Sequence, residues 1–91
     1  MSTDKITTEM IKEVYRLLAD IDNVEDMEIL LADLCTNKEV EQMAARIKAA
    51  HLLMEGKTYN QVIEETDISS ATLSRVSRCV KYGEGYKKFL K

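Results

Sequence analysis

Apolar residues recur at intervals of three and four along most of this 91-residue chain, and no proline interrupts them. This spacing places apolar side chains on one face of an α-helix, whereas a half-buried strand would alternate apolar and polar residues. The first such stripe runs from Thr8 to Ile21, and the second follows a capping Asn23 and ends at Leu34. The sequence therefore predicts an all-α fold of about six helices.

Capping patterns predict where the longest helix begins and ends. Thr36 and Glu39 match a capping box, and Gly56 supplies the left-handed residue that commonly ends a helix. About 20 residues at 1.5 Å each would span roughly 30 Å, so we expect this third helix to be the central scaffold. Its apolar stripe comprises Val40, Met43, Ala44, Ile47, Ala50, His51 and Met54.

Two shorter helices follow, separated by the polar break "TD". Thr58 and Gln61 form a second capping box, which opens the fourth helix. Either Ser69 or Ser70 can cap the fifth. The inner positions of these helices are Val62, Ile63, Leu73, Val76 and Val80. A short terminal helix over residues 84–91 is expected to dock through Tyr86, Phe89 and Leu90.

Charge is unevenly distributed along the chain. Residues 1–68 hold seven basic and fifteen acidic residues, a net charge of −8, whereas residues 69–91 hold six basic residues and only Glu84, a net charge of +5. A positive end on an acidic body suits a protein whose one face meets phosphates while the rest stays soluble. The alternative is a solvated helix with a basic tail.

Several classes of protein are not favoured by the sequence. We expect no membrane span, because the uncharged runs fall well short of 18 residues. We also expect no secretory signal, because the N-terminal "MSTDKITTEM" has no apolar run behind a positive start, and we therefore expect a cytoplasmic protein. Cys35 and Cys79 are too few for a disulfide framework and are expected to be reduced. With His51 they lack the spacing of a zinc site, and His51 lies on or beside an apolar stripe. We expect no metal, no cofactor and no enzymatic activity.

The fourth and fifth helices have the sequence form of a helix-turn-helix, in which small polar residues open the second helix. Short side chains at that end can enter the major groove and contact base edges. The predicted base contacts are Ser70, Ala71, Thr72 and Ser74, and the predicted phosphate contacts are Ser69, Arg75, Arg78 and Lys81. An ordinary helical hairpin would share this amphipathic pattern.

Residues 31–83 resemble the Trp repressor family, and more narrowly its YerC/YecD-related group. The segment "LLADLCTNKEVEQMAARIKAAHLLMEGKTYNQVIEE" is similar to the family's central helix and first reading helix, and "SSATLSRVSR" is similar to its recognition helix. The resemblance implies a single domain that forms an intertwined homodimer on palindromic double-stranded DNA. Residues 1–57 would supply the dimerisation helices, 58–82 the helix-turn-helix and 84–91 the terminal helix.

The resemblance also implies positions for a corepressor site, with departures. Arg46 and Arg75 match the residues that hold the corepressor, Thr36 matches the pocket wall, and Cys79 stands where the family has a polar serine. Val76 replaces a glycine that leaves room for the indole ring, so tryptophan is not expected to be the ligand. Arg46 and Arg75 could instead hold another small anion, pair with carboxylates such as Asp33, or contact phosphate.

Acidic residues in the fourth helix favour a second interpretation. Glu64 falls where the family has a basic residue, and it is followed by Glu65. Negative charge near phosphate lowers affinity for DNA. A protein-interaction module that uses the edge formed by Glu64, Glu65 and Asp67 is therefore the alternative to a DNA-binding repressor.

Overall fold

The computed structural model describes residues 5–90, and within that range the chain is entirely helical with no strand. This confirms the predicted all-α fold. The helices are α1 (Thr8–Ala19), α2 (Val24–Leu34), α3 (Asn37–Met54), α4 (Tyr59–Thr66), α5 (Ser70–Tyr82) and α6 (Gly85–Phe89). The chain divides into two compact units, the first ending at Thr36 and the second beginning at Asn37.

The first unit consists of α1 and α2, each held by a side-chain cap. The Thr7 side chain accepts a hydrogen bond from the amide of Met10 at 3.1 Å, and Asn23 accepts one from the amide of Asp26 at 2.8 Å. Asn23 was predicted from its sequence position. The expected extension of the first helix to Ile21 is wrong, because α1 ends at Ala19.

Neither helix of the first unit contains a buried residue. Apolar side chains that are well exposed on these helices are Met10, Ile11, Val14, Tyr15, Leu17, Val24, Ile29 and Leu34. Amphipathic helices gain most of their stability by packing an apolar face. Within a single chain, the apolar faces of α1 and α2 therefore lack full cover.

The second unit has its own hydrophobic core. It is formed by Ala49, Ala50, Leu52, Val62, Ile68, Leu73 and Val76. Helix α3 packs against both α4 and α5, and α6 packs against α5. Tyr86 and Leu90 pack on this core as predicted, but Phe89 does not: its side chain is 72% exposed.

Helix α3 presents apolar residues on two opposite faces. Val40 and Ile47, from the stripe that stands out in the sequence, are exposed, whereas Ala49 is fully buried. Nine residues separate Val40 from Ala49, which is two and a half helical turns and therefore half a rotation. Ala49, Ala50 and Leu52 pack inside the second unit, whereas Val40 and Ile47 remain outside it.

The segment between α3 and α4 forms as the capping patterns predict. Gly56 has a φ of +92°, in the left-handed region that favours glycine. The amide of Thr58 donates to Gln61 Oε1 at 2.9 Å, and the amide of Gln61 donates to Thr58 Oγ1 at 3.2 Å. This reciprocal capping box fixes where α4 begins.

Candidate nucleic-acid interface

The turn between α4 and α5 is held by local hydrogen bonds and one buried side chain. Asp67 adopts a left-handed conformation with φ of 59°. The Thr66 hydroxyl donates to the carbonyl of Val62 at 2.7 Å and accepts from the amide of Ile68 at 3.2 Å. Ile68 is buried in the core of the second unit. These contacts fix the direction in which α5 leaves the turn.

The first turn of α5 is capped by Ser69. Its hydroxyl accepts a hydrogen bond from the amide of Thr72 at 3.2 Å and donates one to the Thr72 hydroxyl at 3.0 Å. Of the predicted base-contact residues, Ser70, Ala71 and Ser74 are exposed, and Thr72 is partly buried. The structure therefore presents a surface of short side chains at the beginning of α5.

Three basic residues follow on the same helix. Arg75, Arg78 and Lys81 are all exposed. None of the three forms an ion pair with another residue of the part of the chain that the structure describes. Their charges are thus available to an external anion. The buried face of α5, formed by Leu73 and Val76, orients the exposed face outward.

Helix α4 brings negative charge to the same motif. Glu64, Glu65 and Asp67 are exposed at the end of α4 and in the turn that follows. The helix-turn-helix therefore combines a basic second helix with an acidic end on its first helix. Charges of this sign lower the affinity of any adjacent phosphate contact.

The positions of the predicted effector site have different environments. Val76 is 1% exposed and belongs to the core, so its side chain fills the space around it. Cys79 is partly buried, while Arg46 and Arg75 are exposed. Thr36 is exposed and is the last residue of the first unit.

An open groove lies between α3 and the turn that precedes α5. Its volume is about 540 Å³, and it is lined by Lys38, Glu41, Gln42, Ala45, Arg46, Thr66, Asp67, Ile68, Ser69 and Thr72. Arg46 is the one residue of the predicted effector site that lines it. Lys38 and Gln42 were not predicted as site residues from the sequence, although they recur with Ala45 at the spacing of one helix face.

Other kinds of site find little support in the part of the chain that is described. No group of three or more His, Cys, Asp or Glu residues in residues 5–90 is arranged to hold a metal ion. Cys35 and Cys79 are free thiols, and His51 is partly buried. Among these residues, no helix has the length and apolarity required to cross a membrane.

Comparison with known proteins agrees with this geometry. A family model described as Trp repressor protein matches residues 9–91. The protein YerC of Bacillus subtilis strain 168 is 35% identical over 83 residues, which cover 91% of this chain and 80% of YerC.

Two solved structures are similar to the whole fold. A TrpR-like protein from Eubacterium eligens is 29% identical with a TM-score of 0.83, and the match covers 94% of this chain and 90% of that one. A candidate Trp repressor from Staphylococcus aureus is 28% identical with a TM-score of 0.84, and the match covers 99% of this chain and 91% of that one.

Proposed function

The chain belongs to the Trp repressor family, and from that premise we propose that it is a sequence-specific transcriptional regulator that binds double-stranded DNA through α4 and α5. Members of this family are DNA-binding transcription regulators rather than enzymes. The observation that carries the proposal is the exposed surface of α5, where short side chains are followed by unpaired basic residues. The protein would act in the cytoplasm, where it has access to chromosomal DNA.

Roles for individual residues follow from the chemistry of the DNA surface. Ser70, Ala71 and Ser74 are short enough to approach base edges and thymine methyl groups, and Thr72 lies beside them. Arg75, Arg78 and Lys81 bind phosphates, as does Ser69 at the start of the helix. Base contacts set the sequence preference, whereas phosphate contacts set the affinity.

We further propose that the active species is a homodimer. The apolar faces of α1 and α2, together with Val40 and Ile47 of α3, are exposed in the single chain. A chain of this size buries only about 60 to 65% of its unfolded surface when it folds alone. A second copy would cover these faces, and two-fold symmetry would place the two α5 helices about 34 Å apart on a palindromic site.

Tryptophan is not proposed as a corepressor. Val76 is packed in the core, and it stands where the resemblance to the family implies a glycine that leaves room for the indole ring, so its β-branched side chain argues against tryptophan. Thr36, Arg46, Arg75 and Cys79 remain the candidate positions for another small anionic effector. Stabilisation of the protein against heat by such a ligand would identify it.

Selection of bound sequences from random duplex DNA tests the proposal directly. We expect a palindromic consensus, because the dimer presents two identical recognition helices. Arg78→Ala should weaken binding to all sequences alike and reduce the slope of log K against log salt by about 0.9 for each subunit of the dimer. Ser74→Ala should change which sequence is preferred, because Ser74 lies among the base-contact residues.

One observation favours a different function. The exposed carboxylates Glu64, Glu65 and Asp67 oppose DNA and could instead attract a basic protein partner. A module of this kind would retain no duplex from the random pool, even at low salt. Replacement of Glu64 and Glu65 by glutamine would lower the affinity for such a protein partner, whereas it would raise the affinity for DNA.

A further inference from the structure

The groove between α3 and the start of α5 carries two cations outside the helix-turn-helix. Lys38 and Arg46 line this groove from α3, and both residues are exposed. Within the second unit, neither side chain forms a hydrogen bond or an ion pair. This holds even for the carboxylates of Glu41 and Asp67, which line the same groove. Both positive charges are therefore available to an anion from outside the chain.

The position of the groove relates these cations to the proposed DNA surface. Ser69 and Thr72 of the α5 start form part of its opposite wall, and both belong to the proposed DNA contacts. A recognition helix in the major groove has the phosphate backbones of the duplex on either side of it. The groove lies on the α3 side of the α5 start, so a backbone there would lie against Lys38 and Arg46.

We propose, on the basis of the DNA-binding function above, that Lys38 and Arg46 bind backbone phosphates beside the bases read by α5. The scaffold helix α3 then forms part of the DNA interface. The two residues are eight positions apart, which is about 12 Å along the helix. We therefore assign them to separate phosphates rather than to one.

The carboxylates in the groove determine how strong this contact is. Glu41 and Asp67 carry charge of the same sign as phosphate, and they offset part of the attraction from Lys38 and Arg46. Replacing Glu41 by glutamine keeps its size and removes its charge. Glu41→Gln should therefore raise the affinity for every duplex without changing the preferred sequence.

The decisive experiment measures binding of the selected duplex by the full chain across a range of salt concentrations. Lys38→Ala and Arg46→Ala should each reduce the slope of log K against log salt by about 0.9 for each subunit of the dimer, and lower affinity about fivefold for each subunit at 0.15 M salt. The matched control is Lys48→Ala, because Lys48 is also an exposed cation of α3 but does not line the groove. Its slope should equal that of the wild-type protein.

Alkylation of individual phosphates locates the contact on the DNA. Phosphates whose ethylation blocks wild-type binding should include positions that no longer interfere with the Lys38→Ala/Arg46→Ala double variant. All variants change exposed side chains, so circular dichroism should show unchanged helicity. Inorganic phosphate, added without DNA, should stabilise the wild-type and double-variant proteins equally against heat.

Each contrary result has a definite meaning. If Arg78→Ala weakens DNA binding while the Lys38 and Arg46 variants keep wild-type slopes, the DNA does not enter the groove and only this inference fails. If inorganic phosphate stabilises the wild-type protein but not the double variant, and DNA binding is unchanged, the groove is a site for a free anion. If no duplex is selected at all, the DNA-binding function and the groove contact fail together.

Discussion

The two units of this chain cover their apolar side chains in different ways. The second unit packs α3, α4, α5 and α6 around a core that includes fully buried Leu73 and Val62. The first unit has two helices of clear amphipathic pattern but no buried residue. Since burial of apolar surface is the dominant favourable term in folding, the second unit can be stabilised within one chain, whereas the first buries no residue of its helices within one chain and is covered by a second copy in the proposed homodimer.

The largest expected effect comes from a cavity in the second unit. Leu73 is 0% exposed, so Leu73→Ala should lower the free energy of unfolding by about 3 to 4 kcal/mol through lost burial and an unfilled cavity. Urea denaturation followed by circular dichroism measures this change. Ser74→Ala, the neighbouring exposed position, is the control for stability, and a loss at Leu73 no larger than the loss at Ser74 would contradict the expected contribution of Leu73 to the core.

A charge introduced on the exposed apolar face of the first unit should weaken the proposed dimer, whereas the cavity at Leu73 lowers the stability of the second unit. Leu17 is 40% exposed in the single chain, and in a dimer that covers α1, Leu17→Asp would bury an unpaired carboxylate. The dimer dissociation constant should rise about 100-fold, equivalent to about 2.7 kcal/mol. Sedimentation at several protein concentrations measures this constant.

Lys12→Asp provides the control for that prediction, because Lys12 is an exposed charged residue of the same helix. It should leave the dissociation constant within about threefold of wild type, since surface substitutions usually change stability by less than about 0.5 kcal/mol. If the Leu17→Asp and wild-type proteins sediment equally, the proposal that a second copy covers the first unit is contradicted.

Loss of the cap on α5 should have a smaller effect. The Ser69 side chain accepts from the amide of Thr72, and Ser69→Ala should lower the free energy of unfolding by about 1 kcal/mol. Ser70→Ala is the matched control, because Ser70 is the next residue and does not supply the cap. A thermal or urea titration should separate the two variants, and identical curves would contradict the capping role.

The smallest expected effect is a gain in stability at the turn of the helix-turn-helix. Asp67 holds a left-handed backbone conformation, which glycine adopts without steric cost. Asp67→Gly should therefore stabilise the second unit by about 0.5 kcal/mol after the larger entropy of the unfolded glycine chain is included. Asp67→Ala, measured in the same urea titration, should destabilise it. An alanine variant as stable as wild type would show that the left-handed backbone imposes no steric cost at this position.

Local features of the fold could be predicted from the sequence because their interactions span only three or four residues. The caps at Asn23, Thr58 and Ser69 each join a side chain to an amide three positions later, and all three form. Gly56 is left-handed as its place after a long helical pattern indicates. The end of α1 was misplaced because an apolar residue at Ile21 continues the pattern without continuing the helix.

The packing of α3 could not be read from its pattern. Ala50 of the predicted stripe is buried in the core, but Val40 and Ile47 are exposed, and the core also uses Ala49 and Leu52, which lie off that stripe. Small side chains allow α4 and α5 to approach closely, and that choice depends on the shape of the partner helices. Phe89 was expected to dock on the core because it is hydrophobic. Hydrophobicity alone does not show which face of α6 packs against the rest of the unit.

The candidate DNA surface also has a part that could be predicted from the sequence and a part that could not. The short residues and the basic spacing on α5 are contiguous in the chain, so they were visible in the sequence. Lys38 and Arg46 are remote from α5 in sequence, and they meet its start only because α3 packs against α5. A groove between separate elements leaves no periodic signal that links its two walls.

The sequence by itself determined the helical fold, the caps, and the basic stripe of α5, because each depends on residue type and on spacing within one helix. Only the tertiary structure decided which face of α3 became core, that Val76 is packed inside, and that Lys38 and Arg46 line a groove beside Thr72. Those outcomes depend on how surfaces of different helices fit together. Such contacts join residues far apart in the chain, where the periodicity of any one helix carries no information.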